Sequence, residues 1–347
     1  MTKSFSIDED LFPVDLEKYL LKFLSKTSSG TNYWENPPKG PITDRQIGRV
    51  VLQIHQLLDI LNANGLNLHK LSFLDIGTGN GMIPRLMLAL TNIKEAFGSD
   101  PFLDGEHKTS WRESNQDSDF SEILDFIQKS LNEDKLLKFE NYQTLTNYEV
   151  NKYVPRDVHC QINFENLINY KFFQVDAEKL SDLQHQFDIL YCKAIEHIHN
   201  WESVFSEARL TLSNKGIFII KHRSFFSYLG AHRYSAVEIP WGHLLLNDKQ
   251  YEKFVNLHHA NRANEMINFM KHGLSNPRRS VHDMIRIAIE TGFEMVSVRY
   301  ESSNHQKYLV EILNKNPSIL RKIKKRYKNL GLDEILSGMV HLVFRKI

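Results

Sequence analysis

Phe73-Leu74-Asp75-Ile76-Gly77-Thr78-Gly79-Asn80-Gly81 is the stretch on which the reading of this chain turns. A short apolar run over 71–76 stops at three glycines in alternate positions, and residues 82–89 resume at helical spacing. This order predicts strand, glycine turn, helix. Without a Cβ such a turn bends tightly and lets a ligand approach the backbone. Nicotinamide and flavin sites use glycine loops too. A dinucleotide fingerprint, however, would set its third glycine where Met82 stands, so the spacing argues against pyrophosphate binding.

Two acidic residues extend the pattern. Asp100 ends a second strand that begins at Glu95, about 20 residues past the loop, where a carboxylate can accept both hydroxyls of a ribose. Asp176 follows a third strand over 172–175, where a carboxylate can accept an exocyclic amino group such as that of adenine. Each Asp alone is more often a helix cap. Three signals at three successive strand ends are far more specific than the loop.

Outward from this cluster, apolar positions recur at three and four over 44–63 and predict a helix with one buried face. A strand over 187–192, a helix over 201–212, a turn at Asn214-Lys215-Gly216 and a strand over 217–221 follow. A helix over 281–291, a strand over 293–300, a basic helix over 317–329 and a strand over 339–345 finish the chain. Strands alternating with helices mean a parallel sheet covered on both faces, with ligands at the carboxyl ends of its strands. Two stretches interrupt the alternation: 103–165, polar with a helix around 120–131, and 222–280, rich in His, Arg and aromatic residues. The predicted organisation is an N-terminal helical segment (1–69) and a ligand-binding core (70–221) carrying the insertion 103–165. A substrate lid (222–280) and a segment completing the sheet (281–347) follow.

The motifs LDIGTGNG (74–81), GSDP (98–101), VDAEKL (175–180) and FDILYCKAIEHI (187–198) resemble the class I S-adenosylmethionine-dependent methyltransferases. WESVFSEARLTLSNKGIFII (201–220) looks like the helix, turn and fifth strand of that family. The resemblance covers 70–221 well and 281–345 in pattern; the first 65 residues and both insertions match no known pattern. It implies an α/β, Rossmann-like, seven-stranded mixed sheet, the last strand antiparallel, with helices on both faces and two insertions. It implies S-adenosylmethionine as cofactor. Asp75, Gly77, Thr78 and Gly79, in the loop that Gly81 closes, would hold the methionine moiety. Asp100 with Pro101 would take the ribose, Asp176 with Ala177 the adenine, and the backbone near Cys192 the amino group.

Methyl transfer asks for alignment above all, with the acceptor about 3 Å from the methyl. A base helps when the acceptor is a hydroxyl. Glu196-His197 and His199 follow the fourth strand, and the family commonly carries a Glu-His pair there, often only to order the loop. The stretches 222–234 and 239–243 collect His, Arg and aromatic side chains, as a lid over a polar, anionic or glycosidic substrate would need; a solvated helical cap has the same composition. His232 and His243 are the preferred bases, with His197 a third. Seven of the 16 histidines fall within 222–282, but their spacing pairs no ligands on one helical turn and no metal site is expected.

Composition narrows the partners. Lys+Arg 43 against Asp+Glu 42 leaves a net charge of +1, no global field for nucleic acid or anionic lipid. Cys192-Lys193-Ala194-Ile195 lacks the Pro-Pro-aromatic signature of amino-methylating DNA enzymes, and Cys192 follows Tyr191 instead of the Pro a cytosine C5 enzyme would want. The basic run from Arg321 to Lys328 reads as a solvated helix face. Two cysteines, Cys160 and Cys192, make no disulfide scaffold. The acidic N-terminus is unlike a signal peptide, and no apolar stretch is long enough to span a bilayer, so a cytoplasmic location is expected. The sequence therefore reads as a methyltransferase acting on a small molecule, with a hydroxyl of a sugar or glycan precursor as the leading acceptor. A protein or RNA methyltransferase and a non-catalytic cofactor-binding module are the alternatives.

Overall fold

The computed structural model of the 347-residue chain describes residues 44–101, 120–125, 164–232, 237, 239–259, 262–302 and 306–347. The N-terminal stretch 1–43 and most of the insertion 103–165, Cys160 included, lie outside the described residues. The chain divides into two compact units.

The first unit falls within Lys39–His222, Ile285–Arg299 and His341–Ile347. It opens with α1 (Asp44–Ala63), then β1 (Ser72–Ile76), α2 (Met82–Leu90), β2 (Glu95–Ser99), β3 (Tyr170–Phe173), β4 (Phe187–Cys192), α3 (Trp201–Thr211) and β5 (Leu212–His222). β6 (Phe293–Ser302) and β7 (Ser337–Lys346) complete a seven-stranded sheet in the order β3-β2-β1-β4-β5-β7-β6. The first five strands of that order pair in parallel. The sheet is mixed, with an antiparallel pairing, as the resemblance implied. The order reverses between β1 and β4, the place where open α/β sheets bind ligands.

β1 is buried along its whole length, as a central parallel strand must be. α1 turns Ile54, Leu57, Leu58 and Leu61 into a core with Phe73, Ile189, Tyr191, Ile217 and Ile219 from one face of the sheet. α2 is apolar almost all round and correspondingly buried from Met82 to Leu90. On the other face Phe205 meets Phe218, Phe293 and Phe344 edge-on, with centroids 5.5, 5.8 and 5.5 Å away.

Three local expectations need correction. β3 runs over Tyr170–Phe173, two residues earlier than predicted, because its ladder with β2 stops at Ser99↔Phe173 and the Val175 amide turns back to the Phe173 carbonyl. Asn214-Lys215-Gly216 is not a turn ahead of a strand. It sits inside β5 as an irregularity, with Lys215 at φ +65° and the register jumping from Phe187↔Leu212 to Ile189↔Ile217. The basic helix predicted over 317–329 ends at Arg326, and among the described residues it is one of three helices between the last two strands.

The second unit contains Arg223–Met284 and Tyr300–Val340. α4 (Gly242–Leu245), α5 (Asp248–His258), α6 (Ala263–His272), the start of α7 (Val281–Glu290), α8 (Gln306–Lys315), α9 (Pro317–Arg326) and α10 (Leu332–Leu336) build it. Phe226, Trp241, Leu309, Ile323 and Ile335 are among its core. Among the described residues no helix is long and apolar enough to cross a membrane.

Candidate cofactor site

The glycine turn after β1 is fixed at both ends. Its Gly77 and Thr78 amides both donate to the Ser99 carbonyl at the end of β2, at 2.8 and 3.1 Å. Gly77, Gly79 and Gly81 all take left-handed φ, at +70°, +60° and +70°. At Gly77 the reason is also space: a Cβ would stand 2.5 Å from the Cβ of Ala194, in the turn after β4. Gly79 differs. Among the described residues nothing lies within 4 Å of where its Cβ would be.

Carboxylates converge on this loop. Asp100, 6% exposed, accepts the Gly79 amide at 3.0 Å. Asp75, 4% exposed near the end of β1, accepts the Thr78 hydroxyl at 2.8 Å. Burial pushes the Asp75 carboxyl up to about 7, the Thr78 hydroxyl and Lys193 pull it back, and Asp100 adds to the rise. A buried acid half-protonated near neutrality is poised to ionise beside a cationic ligand group. Ser99 contributes a buried hydroxyl with no hydrogen-bond partner among the described residues.

The sequence-predicted residues fall into two groups. Asp75, Gly77, Thr78, Gly79, Gly81 and Asp100 meet in one loop cluster. Cys192 pairs with Ile76 and Ile220 across the sheet, fully buried, its thiol pushed well above its ordinary range by that burial. Pro101 stands beside the cluster, its carbonyl accepting from the side-chain Nε2 of Gln174 at 3.1 Å. Asp176 is exposed and caps the short helix Ala177–Leu183 by accepting the Glu178 amide at 2.9 Å, with Ala177 buried behind it. His197, half-buried, closes the short helix Ile195–His197 after β4.

His232 and His243 belong to the other unit. The His232 ring packs against Phe269 with centroids 4.9 Å apart and the rings tilted by 38°. His243 is 4% exposed, with Nε2 2.7 Å from the Phe225 carbonyl and burial holding it down to about 4. The engagement of its Nε2 by the Phe225 carbonyl favours packing over proton transfer for His243. Among the described residues no three His, Cys, Asp or Glu side chains gather as a metal would require.

A pair that sequence reasoning did not bring together lies at the ends of β4 and β5. His222 is 2% exposed, and its Nδ1 stands 3.6 Å from Glu196 Oε2. Alternation alone sets only the face of His222, that of Ile220; the pairing of Ile220 with Cys192, four residues before Glu196, supplies the rest.

A family model described as methyltransferase domain matches residues 44–298. No curated protein matches the sequence. Among solved structures, the magnesium protoporphyrin IX methyltransferase of Synechocystis PCC 6803, with bound S-adenosylhomocysteine, is 11% identical. The match covers 95% of this chain and 99% of that one, with TM-score 0.41. A cyclopropane synthase of Mycobacterium tuberculosis is 14% identical over 87% and 84% of the two chains, TM-score 0.40. An S-adenosylmethionine-dependent methyltransferase of Mesorhizobium loti is 12% identical over 84% and 96%, TM-score 0.39.

Proposed function

Because the chain belongs to the methyltransferase-domain family of S-adenosylmethionine-dependent enzymes, we propose that it methylates a small-molecule acceptor, with a hydroxyl as the receiving group. The observation that carries the cofactor part is the glycine turn whose Gly79 amide is clamped by Asp100 while no described residue lies within 4 Å of its Cβ side. A nucleoside ligand fits that arrangement: a backbone it can approach, a carboxylate for its ribose hydroxyls, and an ionisable Asp75 for its cationic end. In this reading Asp100 with Pro101 takes the ribose, and Asp75 with the 77–79 backbone takes the methionine end. Asp176 with Ala177 takes the adenine, and the backbone beside Cys192 takes the amino group.

When bound, the cofactor supplies an electrophilic methyl on a sulfonium. The protein's own share is to hold the acceptor in line and to receive its proton. The balanced charge, +1 over 347 residues, supports an uncharged or modestly charged small acceptor over a polyanion. Calorimetric titration with S-adenosylmethionine, followed by transfer of labelled methyl into a metabolite extract, tests the whole reading. Saturable one-to-one binding and label in low-molecular-weight products are expected. Label only in macromolecules would replace the acceptor class, and absence of binding to the folded protein would sink the cofactor assignment.

A further inference from the structure

We infer that His222 and Glu196 form the proton-accepting subsite for the acceptor's hydroxyl, a role that rests on the methyltransferase reading above. Both side chains come from the carboxyl ends of the central strands. His222 is the last residue of β5, and Glu196 lies in the short helix that follows β4. That helix is joined to the glycine turn through Ala194, whose Cβ occupies the space a side chain at Gly77 would need. The pair therefore belongs to the same sheet edge as Asp75 and Asp100.

Its chemistry is unfinished. Among the described residues neither nitrogen of His222 has a hydrogen-bond partner, and neither has Glu196 Oε2, though His222 is 2% and Glu196 9% exposed. Nδ1 faces Glu196 at 3.6 Å, beyond hydrogen-bond length. Trp201 meets the imidazole edge-on with centroids 5.7 Å apart, and the indole's own N–H is spent on the Ile195 carbonyl at 3.1 Å. Buried polar groups without partners cost stability, so folded proteins keep them mainly where they do work. An imidazole beside a carboxylate, with its second nitrogen unpartnered, has room in its hydrogen bonding for a donor.

The guest that completes it is a hydroxyl. Its O–H donates to His222 Nε2, while Glu196 closes on Nδ1–H and steadies the ring. As the acceptor oxygen forms its bond to the methyl carbon, its proton passes to Nε2. The electron pair of the broken carbon–sulfur bond stays on sulfur, so charge balances without another reactant. His222 is then the catalytic residue and Glu196 its positioning residue.

Stability gives a readout that needs no acceptor. In the variant His222→Phe/Glu196→Leu the aromatic contact to Trp201 is kept and the unpartnered atoms are gone, so the melting temperature is expected to rise by a few degrees. S-adenosylmethionine binding by calorimetry should stay within about twofold of wild type, since neither residue is assigned to the cofactor. Labelled methyl transfer to a set of phenols and aliphatic alcohols should fall about a hundredfold or more in His222→Asn. Glu196→Gln should lower kcat without raising KM, and Glu196→Asp should recover part of it.

A fall of several degrees in the double variant would make the pair structural and overturn the proposal. So would transfer confined to amines or thiols, or hydroxyl transfer undiminished in His222→Asn. A wild type that binds the cofactor yet methylates no hydroxyl compound overturns it too. Failure of the wild type to bind S-adenosylmethionine would instead strike the methyltransferase reading, and the melting data would still judge the pair.

Discussion

The Gly79 amide lies 3.0 Å from a carboxylate oxygen of Asp100, joining the turn after β1 to the residue that follows β2. One side chain thus shapes the loop and, in the proposed reading, takes the ribose, and two substitutions separate these tasks. Asp100→Asn keeps an oxygen for the Gly79 amide but gives up the charged acceptor. Asp100→Ala gives up both. Calorimetry should show S-adenosylmethionine binding weakened at least tenfold in both, whereas thermal denaturation should show a loss of about 1 kcal/mol or more only in the alanine variant. Equal stability losses would mean that the Gly79 contact contributes nothing to the fold.

Asp75 carries a pH signature. Its carboxyl is raised by burial to about 7 in the folded chain, against 3.8 when free, so between these values the folded state holds the extra proton. Its contribution to stability is full below about pH 4 and is lost as the pH rises through 7. Asp75→Asn removes that loss while keeping an oxygen for the Thr78 hydroxyl. Its stability relative to wild type should therefore climb from no gain at pH 4 to a gain on the order of 1–3 kcal/mol at pH 8. Denaturant titrations at the two pH values would show it, and a constant difference would place the shift elsewhere.

At Gly77 a methyl group would be strained twice, by φ +70° and by the Ala194 Cβ 2.5 Å away. Gly77→Ala should cost about 2–4 kcal/mol. Adding Ala194→Gly should restore the part due to contact and leave the 1–2 kcal/mol due to the backbone. A double-mutant cycle without coupling would show that the two turns do not touch.

His243 should behave as a core residue. Held down to about 4 by burial, it stays neutral in the folded chain while the unfolded chain charges near 6.5. Its share of stability is therefore complete above pH 6.5 and lost as the pH falls toward 4, on the order of 2–3 kcal/mol. His243→Leu should erase that slope and, by stranding the Phe225 carbonyl, lower stability at pH 8 by about 1–3 kcal/mol. An unchanged slope would relieve His243 of the role.

The fold and the convergence of the glycine loop with Asp75 and Asp100 were legible because their signals are local. Gly77, Gly79 and Gly81 punctuate a strand-to-helix turn within nine residues, and Asp100 follows its strand directly; backbone geometry alone makes both readable. The boundaries of β3 and β5 were not, since a ladder ends where its neighbour ends, and that neighbour lies far away in sequence. Side-chain environment was decided only by the tertiary structure. His243 reads the same in a lid or in a core, and packing around Phe225 enclosed it. His222 and Glu196, far apart along the chain, meet because β4 and β5 pair in a register that carries both to one edge of the sheet. Sequence spacing sets which face of a strand a residue takes; only the pairing of strands sets whom it finds there.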